Sequence, residues 1–175
     1  QLLRDAFGPT GVRYFSLLRP MSELGIGAAV ARRGLAPHIV SCNRVFTVWS
    51  SSTASREQRP CGTCAKCLFT ALMVAPSSTP QAVADQYGAA LLDDPAHVEG
   101  VRALWSDEKP FDCVGERLES AAAVVLLGRT EGWRDQAVVA ALAGEAEELL
   151  ASAGVDPAAY LELGSLDVLP EDYRS

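Results

Sequence analysis

Three cysteines within seven residues, Cys61-Gly62-Thr63-Cys64-Ala65-Lys66-Cys67, restrict this chain more than any other stretch, and a fourth stands upstream in Ser41-Cys42-Asn43-Arg44. Two residues between successive thiols let the backbone turn back, so that the sulfurs converge on one point as a tetrahedral Zn²⁺ requires. The expectation is a closed four-thiolate zinc site of Cys42, Cys61, Cys64 and Cys67. Such a site closes the low-complexity loop from Ser50 to Ser55 that separates Cys42 from the cluster. Gly62 follows the first cysteine of the cluster, where a knuckle needs positive φ. Lys66 and Arg59 bring positive charge to a site that collects anionic sulfurs.

Two other readings of these thiols stay open. Cys61 and Cys64 have the spacing of a redox pair, but such a pair normally opens a helix after a strand, and a third cysteine at the same spacing invites scrambling. His38, four residues before Cys42, competes for the fourth ligand position. Cys42 is preferred because all-thiolate sites are common and His38 lies beside Pro37 in an apolar run.

With 175 residues, 49% of them hydrophobic, the chain can bury one sizeable core. Residues 1–175 are expected to form a single domain, with 35–76 as the zinc knuckle and its following helix and 77–165 as a helical portion. A formal charge of -7 argues against a nucleic-acid or anionic-membrane surface, which needs a basic patch. Five cysteines, an odd number, suit reduced thiols and metal in the cytoplasm better than a disulfide framework. No run of about 18 apolar residues occurs to span a bilayer. The start, Gln1-Leu2-Leu3-Arg4, has neither a methionine nor a signal-peptide layout, so the chain is expected to be the C-terminal part of a longer protein.

The remaining punctuation predicts a mainly α fold with few or no strands. Residues up to Pro20 read as a strand or extended arm. Ser22 offers an N-cap for a helix to about Arg33, ended by Gly34; Gly25 and Gly27 inside it imply close packing. Leu35 to Val40 should run extended into Cys42. A helix from Ala65 stops at Pro76, another opens at Thr79-Pro80 and closes at Gly88, and a third follows Asp94-Pro95 with Val98, Val101, Leu104 and Trp105 on one face. Two long helices are expected from Cys113 or Val114 to Leu127 and from Trp133 to Ala153. A last helical turn from Asp156-Pro157 to Leu163 precedes a tail.

The segments Ser41-Cys42-Asn43-Arg44, Cys61-Gly62-x-Cys64-x-Lys66-Cys67-Leu68-Phe69, Leu72-Met73-x-Ala75-Pro76 and Lys109-Pro110-Phe111-x-Cys113-Val114-Gly115-Glu116 resemble the C-terminal part of the MurL family of UDP-N-acetyl-muramoyl-L-alanyl-L-glutamate epimerases. The knuckle also resembles that of the ATP-pyrophosphatase family, which includes 7-cyano-7-deazaguanine synthase. The Asn43-Arg44 pair, Lys66 and the Cys113 segment favour the epimerases. The Ser-Gly-Gly-x-Asp-Ser phosphate loop of the wider family is absent from the chain, so the resemblance implies an ATP- and Mg-binding half elsewhere in the protein. It implies ATP-dependent inversion of the terminal L-glutamate of a UDP-muramoyl dipeptide to D-glutamate in peptidoglycan synthesis, with AMP and pyrophosphate formed.

For that chemistry Cys113 is the sharpest candidate, because the start of a helix stabilises a thiolate that can move a proton. Asp112 and Glu116 could orient or replace it, and a small core cysteine is the alternative. Arg19, Arg44 and Lys109 are candidate clamps for phosphates or carboxylates of the substrate. Glu119 and Ser120 read as capping or solvating their helix, and Trp49, Trp105 and Trp133 as core aromatics. Two other classes compete with the epimerase: a zinc-stabilised binding or scaffold module without chemistry, and the knuckle end of another adenylating ligase.

Overall fold

The computed structural model describes residues 14–44, 60–107, 109–110 and 114–174, and among these there are helices and turns but no strand. They divide into a large unit, Met21–Leu163, and a small one made of Gln1–Pro20 and Gly164–Ser175. In the small unit the Gly164 N–H donates to the Pro20 carbonyl at 2.8 Å, and the rings of Phe15 and Tyr173 pack at 4.7 Å between centroids. The expected strand or arm before Pro20 is instead a turn over residues 17–20, and the tail carries two short 3-10 turns, Leu166–Val168 and Glu171–Tyr173.

The large unit begins with α1, Glu23–Arg32, whose N-cap Ser22 accepts the Gly25 N–H at 2.8 Å. Its glycines serve packing: a Cβ on Gly27 would collide with the backbone carbonyl of Met73. The next segment is not extended as expected. Pro37 fixes φ in the helical range and a 3-10 turn, Ala36–His38, forms with the His38 N–H on the Leu35 carbonyl.

Helix α2, Ala65–Val74, passes into a 3-10 turn, Ala75–Ser77, because Pro76 has no N–H to continue the α ladder. Helix α3, Pro80–Tyr87, is capped by Thr79 and closed by Gly88 at φ 73, as its sequence signals predict. The helix expected after Asp94 is two pieces, a 3-10 turn Pro95–His97 and α4, Val98–Arg102; Val101, Leu104 and Trp105 are buried.

Helix α5, Arg117–Gly128, starts after Gly115 rather than at Cys113 or Val114. A tertiary contact explains the late start: the Lys109 ammonium donates to the Gly115 carbonyl, holding the chain there outside the helical ladder. Helix α6, Ala137–Ala153, likewise begins beyond Trp133, which sits buried in a turn with its indole N–H on the Ser78 carbonyl at 3.1 Å. A 3-10 turn, Pro157–Leu161, closes the unit.

Helices α2 and α5 are buried along most of their lengths and form the centre. Helix α6 packs most extensively on α5, and α1 on α2. Each fully buried leucine or valine here contributes about 1.5–3 kcal/mol, so these two central helices fix the positions of everything that projects from them. No described helix is long and apolar enough to cross a membrane.

Candidate metal centre and cleft

The knuckle assembles from three pieces of chain. Cys42 comes from the segment after the 3-10 turn, Cys61 from a tight turn that Gly62 makes at φ 72, and Cys64 and Cys67 from the N-cap and first turn of α2. All four sulfurs lie within 4.8 Å of one another. Cys64 and Cys67 are 3.5 Å apart at sulfur, and Cys61 and Cys67 3.9 Å. Four sulfurs bound at about 2.3 Å to one tetrahedral ion stand about 3.8 Å apart, so these residues lie close enough together to hold a metal ion. His38 is exposed on its turn and takes no part in the group. The four cysteines are free thiols, with no disulfide between Cys61 and Cys64.

The surroundings act in opposite directions on Cys61 and Cys67. The Cys61 N–H donates to the Cys42 sulfur at 3.4 Å. The Thr63 hydroxyl lies 3.7 Å from the Cys61 sulfur and accepts from the Arg44 guanidinium at 3.1 Å. Burial raises the Cys61 thiol, but hydrogen bonds from Thr63 backbone and hydroxyl, from the Cys64 backbone and from Cys42 outweigh it and bring it down to about 6. Burial pushes the Cys67 thiol up. The Tyr87 phenol is pushed up by burial first and then by the field of the four sulfurs, which places it beside the knuckle. Four thiolate ligands on one ion would leave no open position for a substrate or water, the arrangement of structural rather than catalytic zinc sites.

A cleft of about 840 Å³ opens elsewhere in the large unit, where the start of α1 meets the start of α5. Ser22, Glu23, Lys109, Glu116, Glu119 and Tyr160 are among the residues that line it. Glu119, on α5, is 3% exposed and accepts the Leu24 N–H at 3.2 Å. The Ser22 hydroxyl donates to the Tyr160 carbonyl at 2.6 Å, pinning the rim. Gly115 forms part of the wall: a Cβ there would lie 2.6 Å from Phe69 Cζ, 2.9 Å from Glu23 Oε2 and 3.1 Å from Glu119 Oε2. Phe69 stands two residues after Cys67 on α2, so the helix that the knuckle anchors also backs the cleft. Burial, then the Glu119 charge, push the Glu23 carboxyl above its ordinary range, with Lys66 and Lys109 opposing. Burial and the charges of Glu119 and Glu116 push the Tyr160 phenol up.

A family model described as the MurL C-terminal domain matches residues 38–156. The chain belongs to the MurL C-terminal domain family. It is 44% identical over 132 residues to a UDP-N-acetyl-alpha-D-muramoyl-L-alanyl-L-glutamate epimerase of Salinispora tropica, covering 74% of this chain and 28% of that protein. Proteins of the same name from Xanthomonas oryzae and a Micromonospora species are each 39% identical, over 73% and 80% of this chain and 28% and 31% of theirs. The chain thus spans under a third of the length of these relatives. No solved structure matches it.

The MurL family match contains the whole knuckle and, of the cleft, Lys109, Gly115, Glu116 and Glu119. Lys109 and Glu116, expected from sequence, are brought together there. Arg44 sits at the knuckle instead, and Arg19 is exposed in the small unit. Cys113 and Asp112 lie outside the described residues, as do Trp49 and Arg59. Glu119 and Ser120 are buried, not solvating their helix as expected. Glu23 and Tyr160 escape the sequence reading altogether. The signal that was available is Glu119 itself, a carboxylate on the helix that carries the most apolar run of the chain.

Proposed function

We propose that the chain is the C-terminal domain of an ATP-dependent epimerase that converts the terminal L-glutamate of UDP-N-acetyl-muramoyl-L-alanyl-L-glutamate to D-glutamate, in the cytoplasm and for peptidoglycan synthesis. The match to the MurL C-terminal domain over residues 38–156 carries this reading. The names of the three relatives support the substrate.

The chemistry follows from the acidity of the target. A Cα–H beside a free carboxylate resists removal, because the carbanion would put a second negative charge next to the first. Adenylation of that carboxylate removes the charge and lets the carbonyl delocalise the carbanion, after which a positioned base can act. ATP and Mg²⁺ handling belongs, in this reading, to the part of the relatives' length that this chain does not span. Lys109 offers a cation to the substrate's carboxylates or phosphates at the cleft, with Arg19 and Arg44 as further candidates.

Cys42, Cys61, Cys64 and Cys67 would hold Zn²⁺, which has no redox chemistry and in a closed thiolate set serves as a cross-link. Its place in the function is to set α2, and through Phe69 the wall of the cleft.

The test uses the full-length protein that contains this domain, incubated with ATP, Mg²⁺ and the L-glutamate dipeptide substrate. Substrate-dependent AMP and, after acid hydrolysis, D-glutamate are expected. Failure to form D-glutamate sinks the reading.

A further inference from the structure

The small unit carries its apolar residues on the outside. Five of the eight large hydrophobic side chains that are exposed among the described residues belong to it: Tyr14, Leu17, Leu18, Val168 and Tyr173. Its described segments, 14–20 and 164–174, bury only Pro20 and Leu169 in return. The two segments are nevertheless tied into one surface. The Phe15 ring packs on Tyr173, and the Gly164 N–H donates to the Pro20 carbonyl. The Arg174 guanidinium donates to the carbonyls of Leu169 and Asp167 at 2.8 and 3.0 Å, which holds Val168 and Tyr173 in one closed loop. An ordered surface that turns leucine and tyrosine side chains to water marks a contact with another surface, because covering them is favourable roughly in proportion to the apolar area removed from solvent.

The length and order of the family point to what covers it. The domain match, 38–156, leaves both segments of the small unit outside, so they flank the C-terminal domain. The chain spans 28–31% of its curated relatives, and in a protein built like them the remaining length precedes a domain described as C-terminal. That upstream part would join along the backbone that leads into Tyr14, at one edge of the apolar face. A surface tethered so closely competes at an effective concentration on the order of 1 mM, far above what a free partner or a second copy reaches in dilute solution.

We infer that the upstream part of the polypeptide docks on the apolar face of the small unit, through Tyr14, Leu17, Leu18, Val168 and Tyr173. The inference rests on the reading of this chain as the C-terminal domain of a longer enzyme, and it makes the small unit the joint between the two parts.

Hydroxyl-radical footprinting of the full-length protein, without substrate, tests this through comparisons matched in residue type. Leu17 and Leu18 are 59% and 52% exposed against 48% for Leu35 in the large unit, and Val168 is 48% exposed against 47% for Val40. Exposure alone predicts similar labelling within each set. Docking predicts that Leu17, Leu18 and Val168 label several-fold more slowly than their counterparts, and equal rates overturn it. A photo-crosslinker in place of Leu17 then identifies the occupant, with isotopically heavy and light protein mixed to separate links within one copy from links between copies. A link within one copy to a residue upstream of Gln1 is expected. Links between copies, no link, or a full-length protein with nothing upstream of Gln1 overturn the inference. Neither readout uses turnover, so a protein that docks in this way but forms no D-glutamate keeps the joint and sinks only the epimerase reading.

Discussion

The backbone N–H of Cys61 points at the sulfur of Cys42, 3.4 Å away, across 19 positions of sequence. That one contact brings the upstream thiol into register with the cluster before any ion is considered, and it stabilises negative charge on sulfur. Cys42, not His38, stands with the other three thiols.

Protein purified without added metal should therefore contain about one zinc per chain, as a four-ligand site requires. Cys42→Ser should lose most of it and His38→Ala none, by elemental analysis. Structural zinc contributes about 10–16 kcal/mol in small metal-folded domains, comparable with the whole stability of a typical domain at about 5–15 kcal/mol. Chelation should accordingly unfold much of the large unit, seen as lost helical circular dichroism.

Two glycine substitutions should differ in kind. Gly27→Ala meets the Met73 backbone, which cannot give way without parting α1 from α2. A loss of about 3 kcal/mol or more in urea unfolding is expected, at the upper end for overpacking. Gly115→Ala meets the ring of Phe69 and two carboxylate ends, which are movable. It should cost about 1–3 kcal/mol, less than Gly27→Ala, in the same urea unfolding measurement.

Glu23→Gln should stabilise the domain at neutral pH. The folded state raises the Glu23 carboxyl, through burial first and then the Glu119 charge, so ionising it opposes folding. Below the unfolded value of about 4.3 both states hold the proton and the substitution changes little. As pH rises through the folded value, the parent loses stability that the glutamine variant keeps. Urea midpoints at pH 4 and pH 7 check this: the variant's advantage should be present at 7 and shrink toward 4. An advantage that grows toward pH 4 contradicts the assignment.

Cys113→Ala in the full-length enzyme should cut exchange of the Cα proton with solvent deuterium about 100-fold or more while leaving substrate-dependent AMP formation largely intact, since adenylation does not use the base. Both steps falling together, or neither, would mark Cys113 as a packing residue.

Local signals carried much of the architecture. Ser22, Thr79 and Asp94 cap as their positions predict, and Gly34, Gly88 and Gly154 adopt the left-handed conformation at or just beyond helix ends. These are decided within a turn of chain, by hydrogen bonds and sterics that neighbouring residues supply. The knuckle was legible for the same reason: three of its four ligands span seven residues.

Where tertiary contact competes with local preference, the sequence was a poorer guide. Lys109 holds Gly115 outside α5, and Trp133 is held in a turn by the Ser78 carbonyl rather than entering α6. The cleft belongs wholly to this second kind of information. Glu23 and Glu119 stand 96 positions apart on helices whose relative placement depends on α2 and on the close approach at Gly27. The chemistry of a carboxylate can be read from its letter, but whether two of them share one small volume depends on how buried surfaces pack, and only the folded structure decides that.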